Sequence, residues 1–246
     1  MSIFDQKVIK YEMKPLSSLE KVFPDETPVY RMECQMLSGL WGETVSFQVA
    51  YTGDFVMRER LDVRVVSELA EHVHVRTVEM VPVGRATNGI VDDNYLKTTS
   101  GLYPDLLKDL KDGKVIVYSR QWRSLWVDVD ITNEIPAGEY EIELQLIKEG
   151  EVVCSAKQKV TVIGTELPKL DIMHTEWMHA DCLADYYHVD VFSEEHWKIL
   201  ENYFKEYVKR GCNMMLTPLF TSPLDTAVGL ERTTTQLIKV EVVKGE

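Results

Sequence analysis

No run in this chain approaches the roughly eighteen uninterrupted apolar residues of a membrane-crossing helix, and residues 1–11 alternate charged and apolar side chains instead of forming a signal-peptide core. The chain therefore reads as cytoplasmic, or as a mature or cloned piece, with no membrane partner. Basic side chains are scarce too: 27 lysines and arginines face 40 aspartates and glutamates, a formal charge of −13 with no basic stripe. Such a surface repels a phosphate backbone, which excludes nucleic acid as a partner, and sets no penalty on neutral ligands such as sugars. Cys34, Cys154, Cys182 and Cys212 are widely scattered, and no Cys-x-x-Cys pair occurs. Reduced thiols fit that pattern better than a disulfide frame or a zinc ribbon. Also missing are a Gly-x-Ser-x-Gly elbow, a phosphate-binding glycine loop and a dinucleotide fingerprint, so no cofactor is expected.

What is there begins with a period of two. Over residues 6–164, Val45, Phe47, Val49 and Tyr51 alternate with Ser46, Gln48 and Ala50, and Leu61, Val63 and Val65 alternate with Asp62 and Arg64. Both stretches read as strands with one buried face. Residues 139–147 are clearest, with Tyr140, Ile142, Leu144 and Leu146 inward and Glu139, Glu141, Glu143 and Gln145 outward. Pro136-Ala137-Gly138 starts that strand, and Lys148-Glu149-Gly150-Glu151 turns it into a hairpin with residues 152–156. Further strands are expected at 29–34, 73–81, 115–118, 125–131 and 159–163, and His72 and His74 would share one solvated strand face. Short strands at this spacing, with no helices between them, predict an antiparallel β-sandwich. Residues 86–112 read as a long excursion with a helical turn at 105–110, and Asp92-Asp93-Asn94 within it as turn chemistry, because the closing glutamate of a calcium loop is missing. Gly164 and Pro168 bracket a short polar connector, which sets the expected domains at 1–164 and 165–246.

Residues 168–218 change character. An apolar run at 170–173 reads as a strand, followed by a polar and aromatic loop over 174–192. A helix follows, capped by Ser193, with Glu194 and Glu195 in its first turn and Gly211 stopping it. Trp197, Leu200, Phe204 and Tyr207 fall on one helix face. Residues 213–216 read as a second strand. This is a βαβ unit with parallel strands, and ligands of parallel α/β architectures bind at the carboxyl ends of the strands.

The loop from His174 is far longer than the about two to six residues of an ordinary βα connection, which marks it as functional or disordered, and its aromatics argue against disorder. Glu176, Trp177, His179, Asp181, Tyr186 and Tyr187 are the candidate substrate-binding residues: aromatic faces pack on the C–H faces of a pyranose, and carboxylates and imidazoles bond its hydroxyls. The competing reading is that Trp177 and one tyrosine fill space between two domains. His174, His179, His188, Asp181, Asp185 and Cys182 could ligate a metal, but their spacings match no zinc pattern, and no metal is expected from them.

Thr175-Glu176-Trp177, Asp181-Cys182-Leu183-Ala184, Tyr186-Tyr187, Phe192-Ser193-Glu194-Glu195-His196-Trp197 and Gly211-Cys212-Asn213-Met214-Met215 before Thr217-Pro218 resemble the barrel entry of glycoside hydrolase family 123. The resemblance implies a β-sandwich ahead of a (β/α)8 barrel, and retaining hydrolysis of β-linked N-acetylhexosaminides, N-acetylgalactosaminides foremost, with attack by the substrate's own acetamido group. It also implies an adjacent Asp-Glu at the end of a middle barrel strand, and here the one such dipeptide is Asp25-Glu26, at the front of the sandwich. A barrel takes about 250 residues, and roughly 80 follow Gly164. The expected fold is therefore mainly β: an antiparallel β-sandwich, then a βαβ segment that opens an incomplete (β/α)8 barrel. No catalytic residue is assigned. The expected function is the N-terminal portion of a glycosidase-like protein, inactive as this chain, with an N-acetylhexosamine-containing glycan as partner and self-association through the uncovered barrel edges. The alternatives are a non-catalytic carbohydrate-binding β-sandwich and a purely structural interaction domain.

Overall fold

The alternation at 139–147 becomes strand β9 (Gly138–Lys148), in which Ile142, Leu144 and Leu146 are fully buried and Tyr140 is partly so. Glu149 and Gly150, both at positive φ (52° and 89°), make the two-residue turn whose twist suits a hairpin. The partner, β10 (Glu151–Glu166), is one 16-residue strand, so the two short strands expected at 152–156 and 159–163 are a single element. The chain is seen in a computed structural model that describes residues 10–28, 36–55, 57–87, 89, 95–169 and 171–217. It divides into two units, Met1–Leu167 and Pro168–Glu246.

Among the described residues the first unit is mainly β and forms two five-stranded sheets. One runs β1 (Lys10–Ser17), β3 (Thr44–Asp54), β8 (Arg123–Asp130), β5 (Val73–Val83) and β6 (Gly101–Asp109). The other runs β2 (Met36–Trp41), β10, β9, β4 (Glu59–Val66) and β7 (Lys114–Val117). Among the described residues of this unit, the strand pairings are antiparallel except that of β2 on β10, which is parallel. The shared core takes Phe47, Val49, Leu125, Val127 and Val129 from the first sheet and Leu61, Val115, Ile142, Leu144 and Val160 from the second. Val45 is only partly buried against it.

Strand β3 departs from the one-face pattern. Gln48 (3% exposed) and Ala50 (0%) are buried on the opposite face, where Leu16, Val22, Ala50 and Trp122 form a second cluster. The Gln48 amide nitrogen donates to the carbonyls of Ser17 (3.2 Å), Ser18 (3.2 Å) and Glu20 (2.8 Å), and its oxygen accepts from the buried Ser124 hydroxyl at 2.9 Å. That one side chain ties the segment after β1 down over the sheet.

Residues 105–110 are not helical. Residues 105–109 belong to β6, whose pairing with β5 slips between Glu79 and Met80 as it passes Pro104, and Leu110 follows its end. An edge strand tolerates a proline that cannot donate to a ladder, and the cross-strand bonds outweigh a local leucine spacing that imitates a helix. His72 ends a 3-10 turn (Ala70–His72), and only His74 lies in β5, with its Nε2 3.3 Å from Asp130. The strand expected at 29–34, the Asp92-Asp93-Asn94 turn and Leu170 lie outside the described residues.

In the second unit the first strand is not the 170–173 run. It is β11 (Thr175–Trp177), so the expected 174–192 loop contains that strand and a helix, α1 (Ala180–Tyr187). Helix α2 (Glu194–Lys209) and strand β12 (Met214–Leu216) follow, and β12 pairs in parallel with β11. The Ser193 hydroxyl accepts from His196 N at 3.2 Å, and Gly211 at φ +83° turns the chain out of α2. Met178, Ala180 and Leu200 make the small core, with Phe204, Tyr207 and Met215 packed on it.

Candidate functional site

Trp177 is the last residue of β11 and is 61% exposed, so an indole stands open at the carboxyl end of the parallel pair. Met178 N donates to Leu216 O at 2.9 Å, extending the pairing one bond further and tying the exit of β11 to the end of β12. His179 then occupies the N-cap position of α1 without a side-chain capping bond, and Asp181 lies in the first turn of that helix. Asp181 is 7% exposed, and its Oδ1 has no hydrogen-bond partner among the described residues. A buried carboxylate oxygen without a donor is costly.

Tyr186 and Tyr187 close α1. Their rings meet edge to face at 5.0 Å, and the Tyr187 hydroxyl lies 3.1 Å from that of Tyr203 on α2. That hydrogen bond, followed by partial burial, pushes the Tyr203 phenol up to about 12. Trp177 has no ring contact with either tyrosine among the described residues, so the expected aromatic group is divided between the strand end and the helix end.

The turn between the helices is held by a residue to which the sequence reading gave no role. His196 is fully buried; its Nδ1 accepts from Phe192 N at 2.8 Å, and its Nε2 lies 2.8 Å from Ala180 O. A carbonyl can only accept, so Nε2 carries the proton and Nδ1 does not. Phe192, at φ +62°, is held by this bond and by stacking of its ring on Trp197 at 5.7 Å. The imidazole thus joins the start of α1 to the start of α2 and sets where Asp181 and Tyr186 stand. Its signal in the sequence was a histidine at the third position after the cap Ser193, on a face otherwise apolar.

Glu176 does not join this group. Its carboxylate lies 3.4 Å from His174 Nε2, which is itself 3.9 Å from Cys212 Sγ. Of the six histidine, aspartate and cysteine residues considered for a metal, the structure gathers His174 alone with other donors, and those donors were not in the set. Phe204, Tyr207, Cys212, Met214 and Met215 line an open, mostly apolar groove of about 340 Å³. The Asp25-Glu26 pair is far from all of this in sequence and is occupied: Lys97 Nζ sits 2.8 Å from Asp25 and 2.9 Å from Glu26, and its hydrogen bond holds the Asp25 carboxyl below its ordinary value.

The sequence model of the family described as glycoside hydrolase 123, catalytic domain, matches residues 177–246, beginning on Trp177. Among solved structures, the chain is similar to a family 123 glycoside hydrolase from Clostridium perfringens, determined for the details of glycolipid glycan hydrolysis, with a TM-score of 0.60 at 15% identity over 84% of this chain. The chain spans 37% of that enzyme's length. A β-glucosidase from Listeria innocua matches at a TM-score of 0.30 and 10% identity, over 65% of this chain and 17% of the enzyme. No curated protein matches the chain.

Proposed function

We propose that this chain, similar in residues 177–246 to the glycoside hydrolase 123 catalytic domain, forms the sandwich and barrel opening of a glycosidase acting on β-linked N-acetylhexosaminides. The observation that carries this reading is the parallel βαβ unit whose first strand ends on the residue where the family's catalytic-domain match begins. Trp177 offers a face for a pyranose ring at the carboxyl end of β11, and His179, Asp181 and, at the far end of α1, Tyr186 and Tyr187 are the further sugar contacts of this reading. The groove beside β12, lined by Met214 and Met215, is the surface against which a further barrel element would pack.

Retaining hydrolysis with an acetamido nucleophile needs a protonated carboxyl at the leaving oxygen and a second carboxylate to steady the developing oxazolinium. No Asp-Glu dipeptide follows Glu26, so the 246-residue chain binds such sugars without hydrolysing them. Titration of N-acetylgalactosamine and N-acetylglucosamine, followed by tryptophan fluorescence, should give saturable binding that Trp177→Ala weakens about 2- to 10-fold. Nitrophenyl β-N-acetylgalactosaminide should remain intact. Absence of binding by the parent chain refutes the sugar site. Turnover that disappears in Glu176→Gln refutes the claim that this chain lacks a catalytic acid.

A further inference from the structure

We propose that His174, Glu176 and Cys212 form a binding site for a thiophilic divalent cation, zinc being the fitting case. Glu176 Oε1 lies 3.4 Å from His174 Nε2, and Cys212 Sγ lies 3.9 Å from the same nitrogen. All three donor atoms fall within 4.8 Å of one another. A tetrahedral zinc with ordinary bond lengths sets its N and O ligands roughly 3.4 Å apart and its N and S ligands roughly 3.6 Å apart. The gap between the three donors is therefore close to that of a zinc coordination face, and an ion enters with small side-chain movements.

The backbones that carry these ligands are pinned independently of any ion. Asn213 Oδ1 accepts from His174 N at 2.9 Å while its Nδ2 donates to Ile172 O at 2.9 Å, and His174 O accepts from the backbone nitrogens of Asn213 and Met214 at 3.2 and 3.1 Å. Cys212 N donates to Tyr207 O at 3.0 Å just past the end of α2. Ligands held by such supporting bonds lose little freedom on binding. Cys212 is 9% exposed, whereas the His174 and Glu176 side chains are 45% and 52% exposed, so the thiol forms the floor of the site and a fourth position faces water.

The donor set selects the ion. A thiolate with an imidazole disfavours calcium and magnesium, which take oxygen ligands, and favours zinc or cobalt. On binding, the Cys212 thiol gives its proton to solvent, and one thiolate with one carboxylate balances the 2+ charge. The site bridges positions 38 residues apart, at the amino ends of β11 and β12. The ion would staple the βαβ unit at the end opposite Trp177, so the staple is independent of the sugar-site reading.

The test is titration of cobalt(II) into the full 246-residue chain under anaerobic, reducing conditions. A thiolate-to-cobalt charge-transfer absorption should saturate at about one ion per chain, be displaced by zinc, and be retained in Cys154→Ser, which keeps all three ligands. Cys212→Ser should abolish the band, and His174→Gln should weaken cobalt binding at least about 10-fold. Zinc should raise the thermal midpoint of the parent chain and leave that of His174→Gln unmoved; His174 is half-exposed, so this variant carries the test if Cys212→Ser does not fold. No charge-transfer band in the parent chain, or an equal band in Cys212→Ser, overturns the proposal and leaves His174 and Glu176 as side chains that merely lie 3.4 Å apart.

Discussion

Replacing Gln48 with leucine keeps nearly the same volume at a 3%-exposed position and removes only its polarity. The amide makes donor contacts to three carbonyls and accepts one bond from Ser124. Each neutral hydrogen bond contributes about 1 kcal/mol net, and a buried partner left unsatisfied costs about 1–3 kcal/mol. The carbonyls of Ser17, Ser18 and Glu20 belong to residues that reach water and recover part of the loss, whereas Ser124 is 0% exposed and does not. The expected destabilisation of Gln48→Leu is therefore about 2–3 kcal/mol. Urea unfolding of the sandwich, followed by circular dichroism, measures it. The double variant Gln48→Leu/Ser124→Ala separates polarity from packing: removing the stranded hydroxyl should restore about 1 kcal/mol or more, a coupling that two independent packing defects would not show. A Gln48→Leu chain within about 0.5 kcal/mol of the parent, or a double variant less stable than the single one, would refute the reasoning.

Leu144, fully buried in β9 between Val65 of β4 and Ala156 of β10, should cost about 2–5 kcal/mol on conversion to alanine, whereas Leu106→Ala, 58% exposed on the β6 edge, should cost less than about 0.5 kcal/mol in the same urea assay. Burial pushes the Glu59 carboxyl up, but hydrogen bonds from Tyr11 and Lys148 more than offset this and hold it below the ordinary glutamate value of 4.5. A depressed folded value means that its contribution to stability is present above the ordinary glutamate range and is lost as the pH falls through the lowered folded value. Glu59→Gln should flatten the acid end of the stability profile, and a profile unchanged in this variant would show that other carboxylates set that limb.

The sequence alone determined the elements whose causes are local. The alternation of β9, the Glu149-Gly150 turn and the Ser193-to-Gly211 helix each depend on side chains within a few positions of one another, and they stand where the pattern put them. Tertiary structure decided the cases in which a distant partner outweighs a local preference. Residues 105–110 carry a helical leucine spacing, yet the hydrogen bonds that β5 offers make 105–109 part of a strand. Residues 170–173 have the apolarity of a strand, but the parallel ladder with β12 begins at Thr175. Gln48 reads as an outward residue until the chain after β1 folds back over it. His174 and Glu176 share one strand face by a spacing of two, but nothing in that spacing brings in Cys212. The parallel pairing of β11 with β12 delivers it, because a cluster closed across 38 residues exists only once the crossover helix has returned the chain.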